Sequence, residues 1–195
     1  VPIGAAHARV APQRFGDVFD AGDLESIEIE AALERVRAAT MAMHKTEDLS
    51  GVAVVFLDQL NQLKLNFIQA WIDVFHLEEG YIDIWFSPLD GVYEEPRHLQ
   101  LPSAIFEDTS IKSWRAGNKF SYVSLKSKDE VDALVAACDA GSGTDYFSHF
   151  QDILKLDRLE FVDANHKYGT VSKSSHEKAT KEEEDILHRF AMVFE

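Results

Sequence analysis

The most regular hydrophobic pattern of the chain lies between Ser26 and Lys45. Its apolar side recurs at alternating steps of four and three residues, the a/d spacing of a heptad, and consists of Ile29, Leu33, Val36, Thr40 and Met43. The intervening alanines favour a helix, which we expect to start near Ser26, after a break at 21–23. Two interpretations stay open. The stripe packs on the chain's own core, or it forms a coiled-coil dimer seam with a second subunit.

A second helical stripe follows, and the pattern then changes from the period of a helix to that of a strand. The helix is predicted to end near Lys64, and its apolar positions are Val52, Phe56, Leu60 and Leu63. The segments QAWIDVFHL and YIDIWFS alternate and flank Glu78-Glu79-Gly80, where glycine permits a left-handed turn. These features predict an antiparallel hairpin.

The remaining predicted elements are shorter. In order they are a strand at RHLQL, a helix from Ser103 to about Ala116, a strand at KFSYVSLK, a helix at DEVDALVAACDA, a flexible link at GSGTD, a helical piece at YFSHFQDILK, a hairpin or a pair of strands at LDRLEFVDANHKYGTVSKSS and a closing helix at KATKEEEDILHRFAMVFE. Because this order is not a βαβ series, it predicts an α+β fold, an antiparallel sheet with the terminal helices on one face.

Composition narrows the range of partners. The 19 Lys and Arg residues against 34 Asp and Glu give a formal charge of −15, which repels phosphate backbones and anionic lipids. We therefore expect neither nucleic acid nor membrane as a partner. A single cysteine, Cys138, and the short longest apolar run, VAVVFL, fit a cytoplasmic protein. We assign 1–25 to a linker or added segment and 26–195 to one domain with terminal connector helices.

Recognised catalytic motifs are lacking in the sequence. It contains no G-x-S-x-G, HExxH, P-loop or CxxC, and GSGTDY lacks the third glycine of a dinucleotide-binding loop. Cys138 lies on the apolar side of its predicted helix, which favours a small buried hydrophobe over a redox thiol. We expect no enzyme activity, no cofactor and no metal.

The segment from Pro88 to Lys119 lies between two predicted strands and has to cover one face of the sheet. Aromatic and polar residues in and beside it are candidates to line a small-molecule cavity, namely Trp85, His98, Trp114 and Tyr122. The alternative is that each of them only fills the core.

The two ends of the chain carry a resemblance to a known family. Both contain R-F-x-x-V-F followed by an acidic residue, at 14–20 and 189–195, which predicts successive modules about one domain apart. ALERVRAATMAM followed by Thr46-Glu47-Asp48-Leu49, together with the terminal RFAMVFE, resembles the connector helices of GAF-like sensory domains repeated in bacterial sensor histidine kinases. The match covers both ends, and the middle of the chain matches in the order of its elements.

This resemblance implies a GAF-like six-stranded antiparallel sheet, with the N- and C-terminal helices on one face and shorter helices on the other. It also implies a parallel homodimer, a kinase output domain in a two-component system, and a ligand pocket under the segment 88–119. The cyclic-nucleotide signature is incomplete, because Asn118-Lys119-Phe120 is not followed by its acidic pair. A bilin-binding cysteine belongs near the covering loop, whereas Cys138 lies beyond it.

The predicted function is therefore a non-catalytic sensory module of a signal-transduction protein, with a candidate small-molecule ligand. Two alternatives remain. One is an enzyme on the same fold, such as a methionine sulfoxide reductase, whose chemistry relies on cysteine thiols. The other is a purely structural dimerisation spacer.

Overall fold

The computed structural model describes residues 21–45, 48–86, 96–101, 107–142 and 155–195. The elements follow in the order α1 (Ala21–Met41), α2 (Leu49–Gln62), β1 (Gln69–His76), β2 (Tyr81–Phe86), β3 (Arg97–Gln100), a π-helical turn (Glu107–Ile111), α3 (Lys112–Arg115), β4 (Phe120–Leu125), α4 (Lys128–Ser142), β5 (Leu159–His166), β6 (Gly169–Ser175), α5 (Lys181–Ala191) and a 3-10 turn (Met192–Phe194). The first copy of the terminal repeat, the link at GSGTD beyond Ser142 and the helical piece after it lie outside the described residues.

Within the described residues, six strands form one antiparallel sheet in the order β3-β2-β1-β6-β5-β4. The predicted β1–β2 hairpin is confirmed, and of the two possibilities for the last strands the hairpin is correct. β1 and β2 pair from Trp71 opposite Phe86 to His76 opposite Tyr81, and Gly80 takes the predicted left-handed conformation with φ of 82°. β5 and β6 pair tightly up to His166 opposite Gly169. The α+β class is therefore correct.

Helices cover both faces of the sheet. One face, here called the connector face, packs against α1, α2 and α5 through a buried cluster in which the Phe56 and Phe190 rings meet edge to face at 5.3 Å. The opposite face, here called the covered face, packs against the π-helical turn, α3 and α4, and its core includes Ile82, Leu99 and Ile111. Apolar residues of alternate parity on β1 and β2 supply the two cores, as the period-2 pattern requires.

Helix α1 differs from its prediction at its start. The expected break at 21–23 is wrong, because the helix begins at Ala21 and continues to Met41. Ile29, Leu33 and Val36 are buried in the chain's own connector-face core, so the first of the two interpretations of the stripe holds for them in this chain. At its weaker end, the Thr40 hydroxyl donates to the Val36 carbonyl oxygen, and Met43 lies beyond the helix. A seam with a second subunit stays a prediction.

Two large apolar residues of α1 are exposed, on another side of the helix from the buried stripe. Ile27 is 51% exposed and Met41 is 78% exposed. The Arg189 guanidinium of α5 pairs with Glu30, and Arg35 donates to the Gln59 side chain of α2 at 2.8 Å. These contacts fix α1 to the other two helices of its face. No helix among the described residues combines the length and the hydropathy that crossing a bilayer requires.

The segment predicted to cover the sheet forms a shorter helix than expected. A regular helix from Ser103 was predicted, whereas the described part is a π-helical turn that continues into α3 and ends before Gly117, with φ of 69°. Ile111 and Ser113, which belong to this segment, are buried. The C-terminal end of the covering segment therefore lies on the sheet. Residues 102–106 are outside the described ranges.

Candidate functional site

A row of polar side chains crosses the covered face where an apolar core would be expected. Trp71 on β1 lies opposite Ser172 on β6, Ser172 lies opposite Asp163 on β5, and Asp163 lies opposite Ser121 on β4. Asp73 and Thr170, one step along β1 and β6, also pair directly. We call the six residues the polar row, and they are Trp71, Asp73, Ser121, Asp163, Thr170 and Ser172.

Asp163 is held by hydroxyl groups from two sides. Asp163 is only 4% exposed. Its Oδ2 accepts hydrogen bonds from the hydroxyl groups of Ser121 in the sheet and Ser110 in the covering segment, both at 2.7 Å. Burial raises the pKa of the carboxyl above its usual range, although the hydroxyl groups act in the opposite direction. The Ser110 bond ties the covering segment directly to the sheet.

Asp73 is buried even more completely, with 1% of its surface exposed. Its Oδ2 accepts from the Trp71 indole N–H at 3.1 Å and from the Thr170 hydroxyl at 2.7 Å, while its Oδ1 has no hydrogen-bond partner among the described residues. Burial raises the pKa of Asp73 to about 8, and the nearby Asp163 charge adds to that shift. Among the described residues, none of the groups that shift the pKa of either aspartate is a cation.

Two neighbouring chambers, here together called the cleft, lie between the sheet edge and this row. Between the edge strand β4 and α4 lies an outer chamber of about 280 Å³, with Glu130 and Ser124 in its wall. An inner chamber of about 40 Å³ shares Thr109, Val123 and Leu134 with it. The inner chamber is lined in addition by Trp71, Ser110, Phe161 and Asp163. The cleft is therefore acidic at both ends and aromatic at its inner end.

The four predicted cavity residues are not brought together. Trp85 is buried in the connector-face core, and Tyr122 is largely exposed, with its hydroxyl donating to Glu184 of α5 at 2.9 Å. His98 lies on β3, where its Nδ1 is 2.5 Å from the Asp83 carboxylate. Trp114 alone lies on the covered face, with its ring packed edge to face on Phe75. A single cavity formed by all four is not present, and ligand binding by any one of them stays a prediction.

The sequence did contain a signal for the residues that line the cleft. In QAWIDVFH and LEFVDANH an aspartate stands in the middle of a strand, on the side where Trp71 and Phe161 face the core. A charged residue at a buried strand position is rare unless it is paired or functional. Alternation alone does not show whether the side of the strand that carries Asp73 is buried, and in the structure helices cover both faces of the sheet.

Cys138 packs in the covered-face core at 2% exposure, as its helical position predicted. Burial raises the pKa of its thiol to about 12. The thiol form therefore predominates at neutral pH, and the thiolate is the form that acts as a nucleophile. Among the described residues, no three His, Cys, Asp or Glu side chains are arranged to hold a metal ion.

Comparison of the chain with protein-family models, with curated proteins and with solved structures gives no match.

Proposed function

We propose that this chain is a non-catalytic sensory module of the GAF-like kind, which binds a small organic cation in the cleft between β4 and α4. The observation that carries the proposal is the pair of buried carboxylates, Asp73 and Asp163, which have no cation among the groups that shift their pKa. A buried carboxylate without a cation is costly, and a ligand that supplies positive charge removes that cost.

The shape of the cleft favours an ammonium group on an apolar body. The inner chamber, about 40 Å³, is large enough for a group about the size of one water molecule and lies against Asp163. The rings of Trp71 and Phe161, with centroids 5.8 Å apart, line the same chamber, and aromatic faces attract cations. The outer chamber, about 280 Å³, has room for the rest of the molecule, and Glu130 adds negative charge there.

Titration calorimetry with phenethylamine and 2-phenylethanol tests this assignment, because the two probes differ mainly in charge. We expect the amine to bind at least tenfold more tightly, and to bind more tightly at pH 8 than at pH 6, because its charge stabilises the ionised carboxylates. Asp163→Asn should abolish the preference. Asp132→Asn, on the exposed side of α4, is the matched control and should retain it. Equal affinities for the two probes would contradict the cation assignment.

The output of the module is proposed to run through α1 and α5 to a kinase domain, in a homodimer. Because Val36 is buried in the chain's own core, a charge there would disrupt folding before it could report on association. Ile27 and Met41 are large exposed apolar residues of α1 and are the better test. The double variant Ile27→Glu, Met41→Glu should convert a dimer to monomers in sedimentation, and an unchanged mass would remove α1 from the dimer proposal.

The two alternative functions make different predictions. A thiol-dependent reductase requires a reactive cysteine, and the burial and raised pKa of Cys138 weigh against that role. A structural spacer requires no ligand, so neither probe would bind and Asp163→Asn would change only stability. The calorimetry therefore separates the sensor from the spacer.

A further inference from the structure

The two buried aspartates of the polar row differ in their access to the cleft. Asp163 on β5 lines the inner chamber, whereas Asp73 on β1, with 1% of its surface exposed, lines neither chamber. Strand β6 lies between β1 and β5, and its Ser172 hydroxyl interacts with both carboxyl groups. A ligand in the cleft can therefore contact Asp163 directly, but it can act on Asp73 only by changing the charge beside it.

Asp163 is the better hydrogen-bonded anion of the two. Two hydroxyl groups, those of Ser110 and Ser121, donate to its Oδ2, both at 2.7 Å. The Oδ1 of Asp73 is buried and has no hydrogen-bond partner among the described residues. An unpaired buried oxygen costs more when it belongs to a charged group than when it belongs to a neutral one. Asp73 is therefore the carboxyl on which a proton is retained more readily.

Electrostatic interactions act in the same direction. Burial, with the Asp163 charge added, raises the pKa of Asp73 to about 8, whereas Asp73 is not among the described groups that shift the pKa of Asp163. Among the described side chains, the other titratable group that faces Asp73 is Cys138 on α4, and its thiol, with a pKa of about 12, stays neutral. The charged residues of α3, Lys112 and Arg115, are exposed. Asp163 thus ionises first, and Asp73 keeps its proton at neutral pH.

We propose that Asp73 is a proton store for the cleft, which gives up its proton when a cation pairs with Asp163. This inference rests on the proposed amine site and adds regulation by pH to it. An ammonium group beside Asp163 offsets the negative charge that helps to hold the proton on Asp73. The O–H bond of the Asp73 carboxyl then breaks, the proton passes to the buffer, and the carboxylate left behind stabilises the bound cation in turn. Asp73 acts through Asp163 and does not touch the ligand.

Calorimetry of phenethylamine binding to wild type at pH 7.5, in phosphate and in Tris, measures the released proton, because the two buffers differ in their heat of protonation. We expect about half a proton per bound amine, since binding that weakens the hold of Asp73 on its proton about tenfold ionises about half of the molecules at this pH. For the same reason the affinity should rise about fivefold from pH 6 to pH 8, a range in which an alkylammonium group stays charged. The uncharged 2-phenylethanol should release no proton.

Asp73→Asn should still bind the amine, but without proton release and with the same affinity at pH 6 and pH 8, because the amide cannot ionise. Asp132→Asn, on the exposed side of α4, is the control and should behave as wild type does. Amine binding to wild type without proton release would overturn the inference and leave the proposed site standing, as would release that persists in Asp73→Asn. An amine that does not bind at all would remove both the site and its regulation. The measurement on wild type does not depend on the folding of any variant.

Discussion

The indole N–H of Trp114 donates to the backbone carbonyl oxygen of His166 at 2.7 Å. Trp114 belongs to α3 on the covered face, whereas the His166 ring lies on the connector face, 5.2 Å from the Phe194 ring, centre to centre. The hydrogen bond thus joins the covering segment to the end of strand β5. Ser110, in the π-helical turn just before α3, donates its hydroxyl to the Asp163 carboxylate on the same strand, β5. One strand is therefore held by the covering segment at two points.

Trp114→Phe removes the donor while retaining an aromatic ring against Phe75. We expect a loss of about 1–3 kcal/mol in the free energy of unfolding, because the His166 carbonyl loses its partner. Tyr122→Phe, which removes an exposed bond to Glu184, should change stability by at most about 0.5 kcal/mol. Urea denaturation of both variants measures the difference. A Trp114→Phe protein as stable as wild type would mean that this bond does not hold α3 to β5.

The pKa of Asp73 predicts how stability changes with pH. Its pKa is about 8 in the folded chain and about 4 in the unfolded chain, so between these values the folded state binds the extra proton. Raising the pH therefore lowers the free energy of unfolding, by up to about 1.4 kcal/mol per pH unit for one group. The decrease ends near the pKa of the folded state. Asp73→Asn should flatten the fall between pH 6 and 8.

The neutral amide suits this position, because its oxygen can accept the Trp71 and Thr170 bonds that Oδ2 now accepts. Thermal unfolding of wild type and Asp73→Asn across the pH range measures the effect, with Asp132→Asn as an exposed control. The two curves should converge at low pH and diverge as pH rises. Parallel curves would show that Asp73 titrates in its ordinary range.

Gly169 is required by the close approach of the β5–β6 turn to β1. A Cβ added at this residue would lie 2.1 Å from the carbonyl oxygen of Asp73, a distance that backbone atoms cannot accommodate without movement. Gly169→Ala should therefore cost roughly 3 kcal/mol or more through strain at a buried turn. Gly51→Ala is the opposite case, since Gly51 lies in α2 with open space around it.

We expect Gly51→Ala to gain roughly 0.5–1 kcal/mol, because alanine is the better helix former. Chemical denaturation of the two single variants gives both values under one set of conditions. A gain in stability from both substitutions would show that the β5–β6 turn is free to move away from β1.

The sequence was sufficient for the strands and for the β1–β2 hairpin, because the alternation and the turn residues are local signals. The strand order β3-β2-β1-β6-β5-β4 was not predicted, since the β1–β6 pairing joins residues distant in the chain. It was less informative about the sides of α1, since Ile29, Leu33 and Val36 have the same spacing whether they pack on α2 and α5 or on another subunit. Trp85, His98, Trp114 and Tyr122 were predicted to line one cavity because their rings are aromatic, but aromatic character does not indicate which face of a sheet a residue occupies. Strand parity does distinguish the two faces. Asp73 has the parity of Trp71, and Asp163 has that of Phe161, so parity assigns both aspartates to the side of these aromatic residues, and the structure shows that this side is buried.

Lys173 and Glu183 form the contact that fixes the C-terminal connector helix to the sheet. Lys173 on β6 is fully buried, and its Nζ lies 2.9 Å from the Glu183 carboxylate and donates to the Asn66 carbonyl at 2.7 Å. Glu183 also accepts the backbone N–H of Thr180 in the capping box that begins α5. Burial opposes ionisation of Glu183, but the bonds from Thr180 and Lys173 outweigh it and lower its pKa.

Lys173→Met should destabilise the domain by about 3–5 kcal/mol, because it leaves a partly buried carboxylate without its cation. Lys128→Met removes an exposed ion pair with Asp132 on α4 and should change stability by less than about 1 kcal/mol. Glu183→Gln in the Lys173→Met background should recover part of the loss, since the charge left unpaired is then gone. A double variant no more stable than the single one would show that Lys173 acts through packing, and that α5 is held to the sheet by its apolar face alone.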